Sequence, residues 1–491
     1  MSAIQKLFLH FGQFFGTGTL LLLLSFITFP ILTRLLTREE YGILGLVTNT
    51  IAIAVAIAKG GLSDSIIRFY REYTGSPERL TLFTSTVLTR GVLLTVIVVG
   101  VYVFTLPIIN KFIGVDEGFL GCFLIMAVYL FARPLNIIVM NYMRALGKIF
   151  LLNVFNATTK VVEIVLAFAL LLWLVGELYG YFLGVALAQL GATVFFYRWL
   201  LKDHGFSITQ VSGALTLDLL KFGFPLLLTE IAYLLLSYTD RYMIVAYHGQ
   251  AVLGVYTVGY NVPSYINDLL MFSLSYAVVP IYTELYAREG KEATETFLSR
   301  SLNYYAMTVI PLCVGYAAIS RDALTALASP KYTESADFST IILVGLVFLG
   351  MNSILSAGLY LHKKSGQMLT IMLIAVAINI GANMLLLPRY EAMGAAIATM
   401  IACIASSVLT AVLSWRYLRA SIPYFTIAYY SAASALMYFI ITGIDTGQGW
   451  LNLAARIPLG MTVIAVAMIV RESEIRAYAW RFIRSVSTKT P

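Results

Sequence analysis

Positively charged side chains stand inside long apolar stretches of this 491-residue sequence. A charge at the centre of a bilayer costs about 2.5–3.5 kcal/mol on insertion scales, so it needs a partner or a watery cavity. Arg90, Arg133 and Lys160 are three such cations. A guanidinium group matches two phosphate oxygens at once, and an ammonium group pairs with either phosphate or carboxylate. We therefore predict that these residues line a cavity and bind a pyrophosphate or an acidic sugar.

Acidic residues accompany these cations in the apolar stretches, and they are Glu163, Glu230, Asp240, Asp268 and Glu284. Lys160 and Glu163 are three residues apart and share a helical face, so an internal ion pair is the alternative to substrate contact. For these cations, and for Arg241 and Arg456, extension of the side chain to the lipid headgroups is a further alternative. Glu163, Glu230 and Asp268 are candidates for a gate or for ion coupling.

The adjacent pair Asp240-Arg241 also lies within an apolar stretch. Neighbouring residues on a helix point about 100° apart, so these two side chains are not expected simply to neutralise each other. At least one of them must find a partner on another helix. The pair is interpreted either as a gate or ion-coupling element, or as a fixed structural ion pair.

A polar segment interrupts the apolar stretch that follows this pair, with Asn261, Pro263, Asn267 and Asp268. A proline inside a helix leaves the carbonyl four residues earlier without its hydrogen bond, so water or a side chain must satisfy it. The segment predicts a kinked helix that lines a cavity, with Asn261 and Asn267 in contact with substrate. A kink satisfied by neighbouring helices is the alternative.

The composition indicates that lipid is the main solvent of this chain. Hydrophobic residues make up 59% of the sequence and charged residues only 12%. Apolar segments long enough to cross about 30 Å of hydrocarbon recur along the chain. We therefore predict an all-α polytopic membrane protein with about fourteen transmembrane helices. The predicted spans are 12–33, 42–58, 82–106, 118–140, 151–174, 178–200, 221–246, 253–284, 301–320, 337–361, 366–388, 393–415, 424–444 and 451–470.

The net charge of +8 reflects membrane orientation and gives no indication of nucleic-acid binding, because Lys and Arg lie in short clusters between apolar segments. Most loop cations, including the tail cations Arg471, Arg476, Arg481, Arg484 and Lys489, fall on the side of the N-terminus. The opposite connections hold Arg34, Arg38, Lys111, Arg321, Lys331 and Arg389. Cations collect in the cytoplasm, so both termini are predicted to be cytoplasmic in a cell inner (plasma) membrane protein.

Sequence similarity between the two halves indicates an internal repeat. The segment 41–45 resembles 253–256, residues 11–12 resemble 222–223, and 177–180 resembles 391–394. Two copies of a six-helix unit, related by a pseudo-twofold axis along the membrane normal, explain this pattern. The predicted domains are 1–210, 211–420 and a third segment, 421–491, with two extra helices and a basic tail.

The sequence offers no catalytic or nucleotide motif. It has no Walker A sequence, no Rossmann glycine fingerprint and no Ser-His-Asp order. Cys122, Cys313 and Cys403 stand singly in apolar segments, and the four histidines lack ligand spacing. We predict no catalytic residue, no metal and no cofactor. Transport would be driven by a proton or sodium gradient, by the membrane potential, or by consumption of product.

Four segments together resemble a known family of membrane transporters: 33–42 (TRLLTREEYG), 60–70, Thr239-Asp240-Arg241 with 253–256 (LGVY), and 393–396 (MGAA). They are similar to the Wzx-type polysaccharide biosynthesis flippases of the multidrug/oligosaccharidyl-lipid/polysaccharide exporter superfamily. The resemblance implies two six-helix bundles around a central, typically cationic cavity and alternating access. It also implies undecaprenyl-pyrophosphate-linked oligosaccharide as cargo, moved from the cytoplasmic to the outer leaflet. Other polysaccharide assembly proteins and membrane lipids are the expected partners.

Three other functions stay open on the sequence. An ion-coupled multidrug antiporter of the same superfamily would favour a carboxylate-rich cavity for organic cations. A flippase for a peptidoglycan or teichoic-type precursor, or an exporter of preformed polysaccharide, would carry related cargo. A membrane glycosyltransferase or polymerase is expected to have a long extracytoplasmic loop with catalytic residues, and this sequence has none.

Overall fold

A computed structural model describes residues 23–113, 116–173, 178–203, 205–472 and 476. Fourteen α-helices and three short 3₁₀ turns lie within these ranges. The helices are α1 (Leu23–Leu35), α2 (Arg38–Lys59), α3 (Leu62–Phe69), α4 (Pro77–Ile113), α5 (Leu120–Ala145), α6 (Ile149–Trp173), α7 (Leu178–Asp203), α8 (Gly213–Glu289), α9 (Lys291–Leu327), α10 (Ala336–Leu355), α11 (Ala357–Leu361), α12 (Ser365–Ser414), α13 (Tyr424–Thr442) and α14 (Gly449–Arg471).

The prediction of an all-α polytopic membrane protein is confirmed. Eleven of the described helices are long and apolar enough to cross a membrane. Two of them, α8 and α12, each contain two predicted spans, because the backbone leaves the helical region at Gly249 (φ 83°, ψ −176°) and at Glu391 (φ 47°, ψ −131°). The first predicted span corresponds to α1 where it is described. Its earlier residues lie outside the described ranges, as do the tail cations Arg481, Arg484 and Lys489.

The start and the end of α2 are both set by local sequence. Thr37 accepts a hydrogen bond from the Glu40 backbone N–H (3.2 Å), and the Glu40 carboxylate accepts one from the Thr37 N–H (2.7 Å). This capping box satisfies two amide groups that the helix itself leaves unpaired. The helix ends where Gly60 and Gly61 adopt positive φ angles of 57° and 74°, which glycine tolerates best. Lys59 is therefore held at the last turn of α2.

The described chain divides into two compact units. The first contains the residues up to Thr257 together with Gly366–Ala402, and the second contains Val258–Ser365 together with the residues from Cys403 onward. In the first unit, a core of aromatic and aliphatic side chains joins α3, α4, α5 and α7 and includes the fully buried Phe83 and Tyr142. In the second, Met437, Ile441 and Ile464 pack α13 and α14 together and against α9. The domain boundaries inferred from the repeat stay a prediction.

Two glycines that the internal repeat relates, Gly42 and Gly254, contact each other's helices within the first unit. A Cβ atom added to Gly42 would overlap the backbone carbonyl of Gln250, and one added to Gly254 would overlap that of Arg38. Each overlapped carbonyl lies four residues before the opposing glycine. The contact thus has the same arrangement from both sides, and α2 meets α8 backbone to backbone where small residues permit close approach.

We expect Gly254→Ala to destabilise the protein, although alanine is the better helix former. The overlap is with backbone atoms, which cannot rotate away, and overpacking of this kind costs about 1–3 kcal/mol. Gly381→Ala is the matched control, because Gly381 lies in α12 of the same unit with no atom near its Cβ position. It should gain up to about 1 kcal/mol from helix propensity. Thermal unfolding in detergent measures both, and an unchanged or higher unfolding temperature for Gly254→Ala would contradict the close packing.

Candidate functional site

A cavity of about 400 Å³ lies within the first unit and collects most of its intramembrane charges. Five helices line it: α2, α5, α6, α7 and α8. The residues that line it are Thr48, Ile51, Ala52, Val55, Lys59, Met126, Tyr129, Arg133, Ile137, Lys160, Glu163, Tyr181, Phe182, Val185, Glu230 and Leu234. Aliphatic and aromatic side chains form most of this wall, and five ionisable residues with a few hydroxyl groups interrupt it.

Helical spacing explains how the charged groups reach this cavity. On α5, Met126, Tyr129 and Arg133 follow one another at intervals of three and four residues, which places them on one face of the helix. On α2, the residues at 48, 51, 52, 55 and 59 repeat the same pattern. Each helix thus presents an apolar strip to the cavity, with one cation near its end or middle.

Two ion pairs lie in the cavity wall, one between two helices and one within a single helix. The Lys59 ammonium on α2 contacts both carboxylate oxygens of Glu230 on α8, at 2.7 and 2.8 Å. The Lys160 ammonium contacts Glu163 three residues later on α6, at 2.8 Å. The internal pairing of Lys160 with Glu163, which the sequence offered as the alternative to substrate contact, is therefore present in the structure.

Arg133 differs from the other two cations of the cavity. Its guanidinium group makes no ion pair and no hydrogen bond with the residues that the structure describes. The cavity contains three cations, Lys59, Arg133 and Lys160, and two carboxylates, Glu163 and Glu230. One positive charge is thus in excess among the lining residues, and it belongs to a guanidinium group, which is suited to bidentate contact with a phosphate or carboxylate.

A buried amide chain braces the Glu163 carboxylate from behind. Gln189 on α7 donates from Nε2 to Glu163 Oε2 (3.3 Å), and Asn136 on α5 donates from Nδ2 to Gln189 Oε1 (2.7 Å). Asn136 is 0% exposed and Gln189 is 2% exposed. Because both amides are enclosed by protein, they hold Glu163, and through it Lys160, in one orientation at the cavity wall.

The structure brings together four of the predicted site residues: Arg133, Lys160, Glu163 and Glu230. Arg90 is not among the cavity residues, and its buried Nε atom has no hydrogen-bond partner in the described chain. Lys59 was missed, because its position after an apolar segment assigned it to a cytoplasmic connection. The cap at Thr37 and the glycines after Lys59 were the available signals, since together they extend α2 as far as Lys59.

Asp240 and Arg241 form a second polar centre, on α8 in the same unit. Asp240 is 0% exposed and Arg241 is 3% exposed. The expectation that they do not neutralise each other is wrong, because an Arg241 Nη1 atom lies 3.3 Å from Asp240 Oδ1. The same Nη1 atom also donates to the Ser237 carbonyl, four residues earlier on the same helix. The expected partner on another helix is also present, since Thr399 on α12 donates to Asp240 Oδ2 (3.2 Å).

Polar side chains on α12 extend this second centre. Tyr256, beyond the break in α8, donates its hydroxyl to Asp240 Oδ2. Asn379 contacts the Thr399 hydroxyl at 3.4 Å, and Asn383 donates to the Asn379 side chain at 3.1 Å. Both asparagines are fully buried, and Asn383 Oδ1 has no hydrogen-bond partner in the described chain. Carboxylate, hydroxyl and amide oxygens of this kind suit a proton or a hard cation.

The polar segment of α8 belongs to the second unit. Asn267 is buried, with an Oδ1 atom that lacks a hydrogen-bond partner in the described chain, whereas Asp268 is exposed. Asn261 is partly exposed. The break in α8 falls at Gly249, before this segment, so a glycine with positive φ and not Pro263 separates the two predicted spans. The proposed contact of Asn261 and Asn267 with substrate stays a prediction.

Asp64 lies on α3, outside the membrane spans and close to the Lys59–Glu230 pair. Burial raises the pKa of the Asp64 carboxyl above its ordinary value of 3.8, and the neighbouring Lys59 and Arg144 only partly oppose this effect. A carboxyl whose pKa is raised by folding favours the folded state while it is protonated. This contribution to folding stability is complete below pH 3.8 and is lost as the pH rises through the raised pKa of the folded state.

We therefore expect Asp64→Asn to unfold at a higher temperature than the natural chain at neutral pH. The difference should shrink as the pH falls and vanish near and below pH 3.8, where both side chains are neutral. Glu72→Gln is a suitable control, because Glu72 is exposed and pairs with Arg68 on the surface. Thermal unfolding across the pH range measures both variants. A stability difference for Asp64→Asn that grows towards acid pH would contradict a raised pKa at this carboxyl.

Comparison with known proteins gives two overlapping family matches. The family described as "Polysaccharide biosynthesis protein" matches residues 14–286, which is more than half of the chain. The family described as "MatE" matches residues 225–385. The first match contains every residue of the cavity.

Individual relatives are distant in sequence, and they differ in how much of the chain they cover. The "Uncharacterized membrane protein MJ1068" of Methanocaldococcus jannaschii is 24% identical over 389 residues, covering 74% of this chain and 75% of that protein. The "Probable low-salt glycan biosynthesis flippase Agl15" of Haloferax volcanii is 22% identical over 214 residues, covering 43% of this chain and 45% of that protein. Among solved structures, the lipid II flippase MurJ in an inward closed conformation has a TM-score of 0.75 at 17% identity, covering 94% of this chain and 98% of that chain.

Proposed function

The chain belongs to the polysaccharide biosynthesis protein family of the multidrug/oligosaccharidyl-lipid/polysaccharide exporter superfamily, and from this we propose that it is a flippase for a lipid-linked oligosaccharide. It moves the glycan from the cytoplasmic to the outer leaflet of the cell membrane by alternating access, with both termini in the cytoplasm. The family resemblance implies undecaprenyl-pyrophosphate as the carrier lipid. A relative named as a probable glycan biosynthesis flippase supports this substrate class.

The observation that carries the proposal is the excess positive charge in the cavity of the first unit. Arg133 lies there without an ion-pair partner in the described chain, beside Lys59 and Lys160. A cation is costly at membrane depth, so its retention is best explained by an anionic group that binds it during transport. The phosphate of a carrier lipid is such a group.

The size of the cavity bears on which part of the substrate it holds. Sites for small molecules usually measure about 300–1,000 Å³. At about 400 Å³, this cavity accommodates a phosphate headgroup with an adjoining sugar, but not an entire oligosaccharide with its lipid. We propose that the headgroup occupies it, that the lipid tail stays in the bilayer, and that the distal sugars extend beyond it.

We propose that Asp240 couples transport to an ion gradient. Its buried carboxylate is surrounded by the hydroxyl groups of Tyr256 and Thr399, with Asn379 and Asn383 nearby. The centre joins α8 to both halves of α12, so a proton or Na⁺ bound there acts directly on how these helices pack. The chain offers no nucleotide-binding motif that would supply energy instead.

A multidrug antiporter is the second candidate, and the match to the MatE family favours it. Such a protein binds organic cations and therefore requires excess negative charge in its cavity. The excess in this cavity is positive, so we rank this function lower. A flippase for a peptidoglycan or teichoic-type precursor would use the same headgroup chemistry, and the similarity of fold to the lipid II flippase is compatible with it.

Reconstitution into vesicles tests these functions directly. A lipid-linked oligosaccharide carrying a fluorescent group is placed in both leaflets, and a membrane-impermeant reductant quenches the outer one. Transfer that exceeds that of protein-free vesicles, and that changes with an imposed proton or Na⁺ gradient, supports the proposal. Uptake of organic cations without transfer of the glycan lipid would support the antiporter, and release of free glycan would indicate an enzyme.

A further inference from the structure

We infer that the cavity of the first unit takes a headgroup with one phosphodiester charge, as in a polyprenyl monophosphate-linked sugar, in preference to the two charges of a pyrophosphate. This inference rests on the proposed function and narrows its substrate class. It departs from the undecaprenyl-pyrophosphate carrier that the family resemblance implies.

The charge balance of the cavity is the first argument. Lys59 and Lys160 are matched by Glu230 and Glu163, and only the Arg133 charge has no counterpart among the lining residues. A phosphodiester carries one negative charge at neutral pH, so it neutralises this excess. A pyrophosphate diester carries two, and its second charge would leave the cavity with excess negative charge.

The strength of the two ion pairs is the second argument. A pyrophosphate recruits a second cation only if Lys59 or Lys160 leaves its carboxylate. Lys59 is 12% exposed and contacts both oxygens of Glu230, while Glu163 is 12% exposed and braced by Gln189. Opening the Lys160 pair would leave the poorly solvated Glu163 carboxylate without its cation beside an incoming anion. Opening the Lys59 pair would leave Glu230, whose side chain is 37% exposed, without its cation near the same anion, which is unfavourable by like-charge repulsion.

The geometry of the remaining cation is the third argument. A guanidinium group donates two parallel hydrogen bonds to two oxygens of one phosphate. The two non-bridging oxygens of a phosphodiester match this fork in number. A single unpaired arginine is therefore sufficient for a monophosphate headgroup, and it leaves both ion pairs intact.

The test uses two labelled lipids that share one sugar and one polyprenyl chain and differ only in a monophosphate or pyrophosphate link. Initial transfer rates and dissociation constants are measured in vesicles of zwitterionic lipid. We expect the natural chain to favour the monophosphate link by at least about tenfold in dissociation constant. Equal binding, or tighter binding of the pyrophosphate lipid, would overturn the inference while transfer of either lipid still supports the proposed function.

Removal of one carboxylate makes the test specific. Glu163→Gln raises the excess positive charge of the cavity from one to two. The ratio of the two dissociation constants should therefore shift by about tenfold in favour of the pyrophosphate lipid. Glu230→Gln should shift it in the same direction and serves as a second route if Glu163→Gln unfolds. Glu284→Gln is the matched control, because Glu284 is an exposed acid that pairs with Arg288. A shift of equal size in the control would overturn the charge argument.

A glycerophospholipid also carries a phosphodiester charge. A further measurement therefore shows whether the cavity binds the glycan lipid or an ordinary membrane phospholipid. The measurement is repeated in vesicles in which phosphatidylglycerol replaces half of the zwitterionic lipid. Unchanged binding of the monophosphate-linked sugar supports the glycan lipid as the ligand. Competition by phosphatidylglycerol would overturn that assignment, and transfer of neither glycan lipid would remove the proposed function along with the inference.

Discussion

Arg133→Gln is expected to slow transfer of the lipid-linked oligosaccharide by roughly 30- to 100-fold. A charge-assisted hydrogen bond contributes about 1.5–3 kcal/mol, and each 1.4 kcal/mol is a factor of about ten. Loss of the bidentate contact between the Arg133 guanidinium and the phosphate therefore removes most of the headgroup binding. Because Arg133 has no ion-pair partner in the described chain, its replacement leaves no carboxylate stranded. Folding should therefore be little affected, and thermal unfolding run beside the vesicle assay checks this.

Two further variants show whether the cavity, and not positive charge in general, is responsible. Arg133→Lys retains the charge but loses the bidentate geometry, so an intermediate rate is expected. Arg90→Gln is the matched control, because it makes the same chemical change at a position that does not line the cavity. If Arg90→Gln slowed transfer as much as Arg133→Gln without unfolding the protein, the headgroup site could not be the cavity of the first unit.

Asp240→Ala is expected to cost about 3–5 kcal/mol of stability, because it leaves the Arg241 guanidinium buried without its carboxylate. Arg241 is 3% exposed, so water cannot readily replace the lost partner. The double variant Asp240→Ala/Arg241→Ala removes both charges and should be more stable than Asp240→Ala alone. Unfolding temperatures of the two single variants and the double variant measure this coupling, and strictly additive effects would show that the pair does not interact.

Asp240→Asn tests ion coupling while keeping the size and the hydrogen-bond acceptor of the side chain. The amide keeps the size of the side chain and can still accept hydrogen bonds from Tyr256 and Thr399, but it neither binds a proton nor carries a charge. We expect the transfer rate of this variant to lose its dependence on the imposed proton or Na⁺ gradient. Retention of the full gradient dependence would mean that Asp240-Arg241 is a structural pair, the alternative that the sequence leaves open.

Local features of the chain can be predicted from the sequence because they depend on neighbouring residues alone. The fourteen apolar segments predict the helices, since crossing hydrocarbon requires a run of apolar residues and satisfied backbone hydrogen bonds. Thr37 and Glu40 predict the start of α2, and the capping box is present. The pairing of Lys160 with Glu163 is predictable for the same reason, because it follows from their spacing on one helix.

The assembly of the charged site was decided only by tertiary structure. Lys59 finds Glu230 across 171 residues of sequence, and Asp240 finds Thr399 across 159. Hydropathy indicates that a residue lies in a span, but not which way its side chain points or which helix packs against it. The direction of a side chain and the identity of the neighbouring helix are set by helix rotation and packing. Arg90 and Arg133 therefore look alike in the sequence, although only Arg133 of the two lines the cavity.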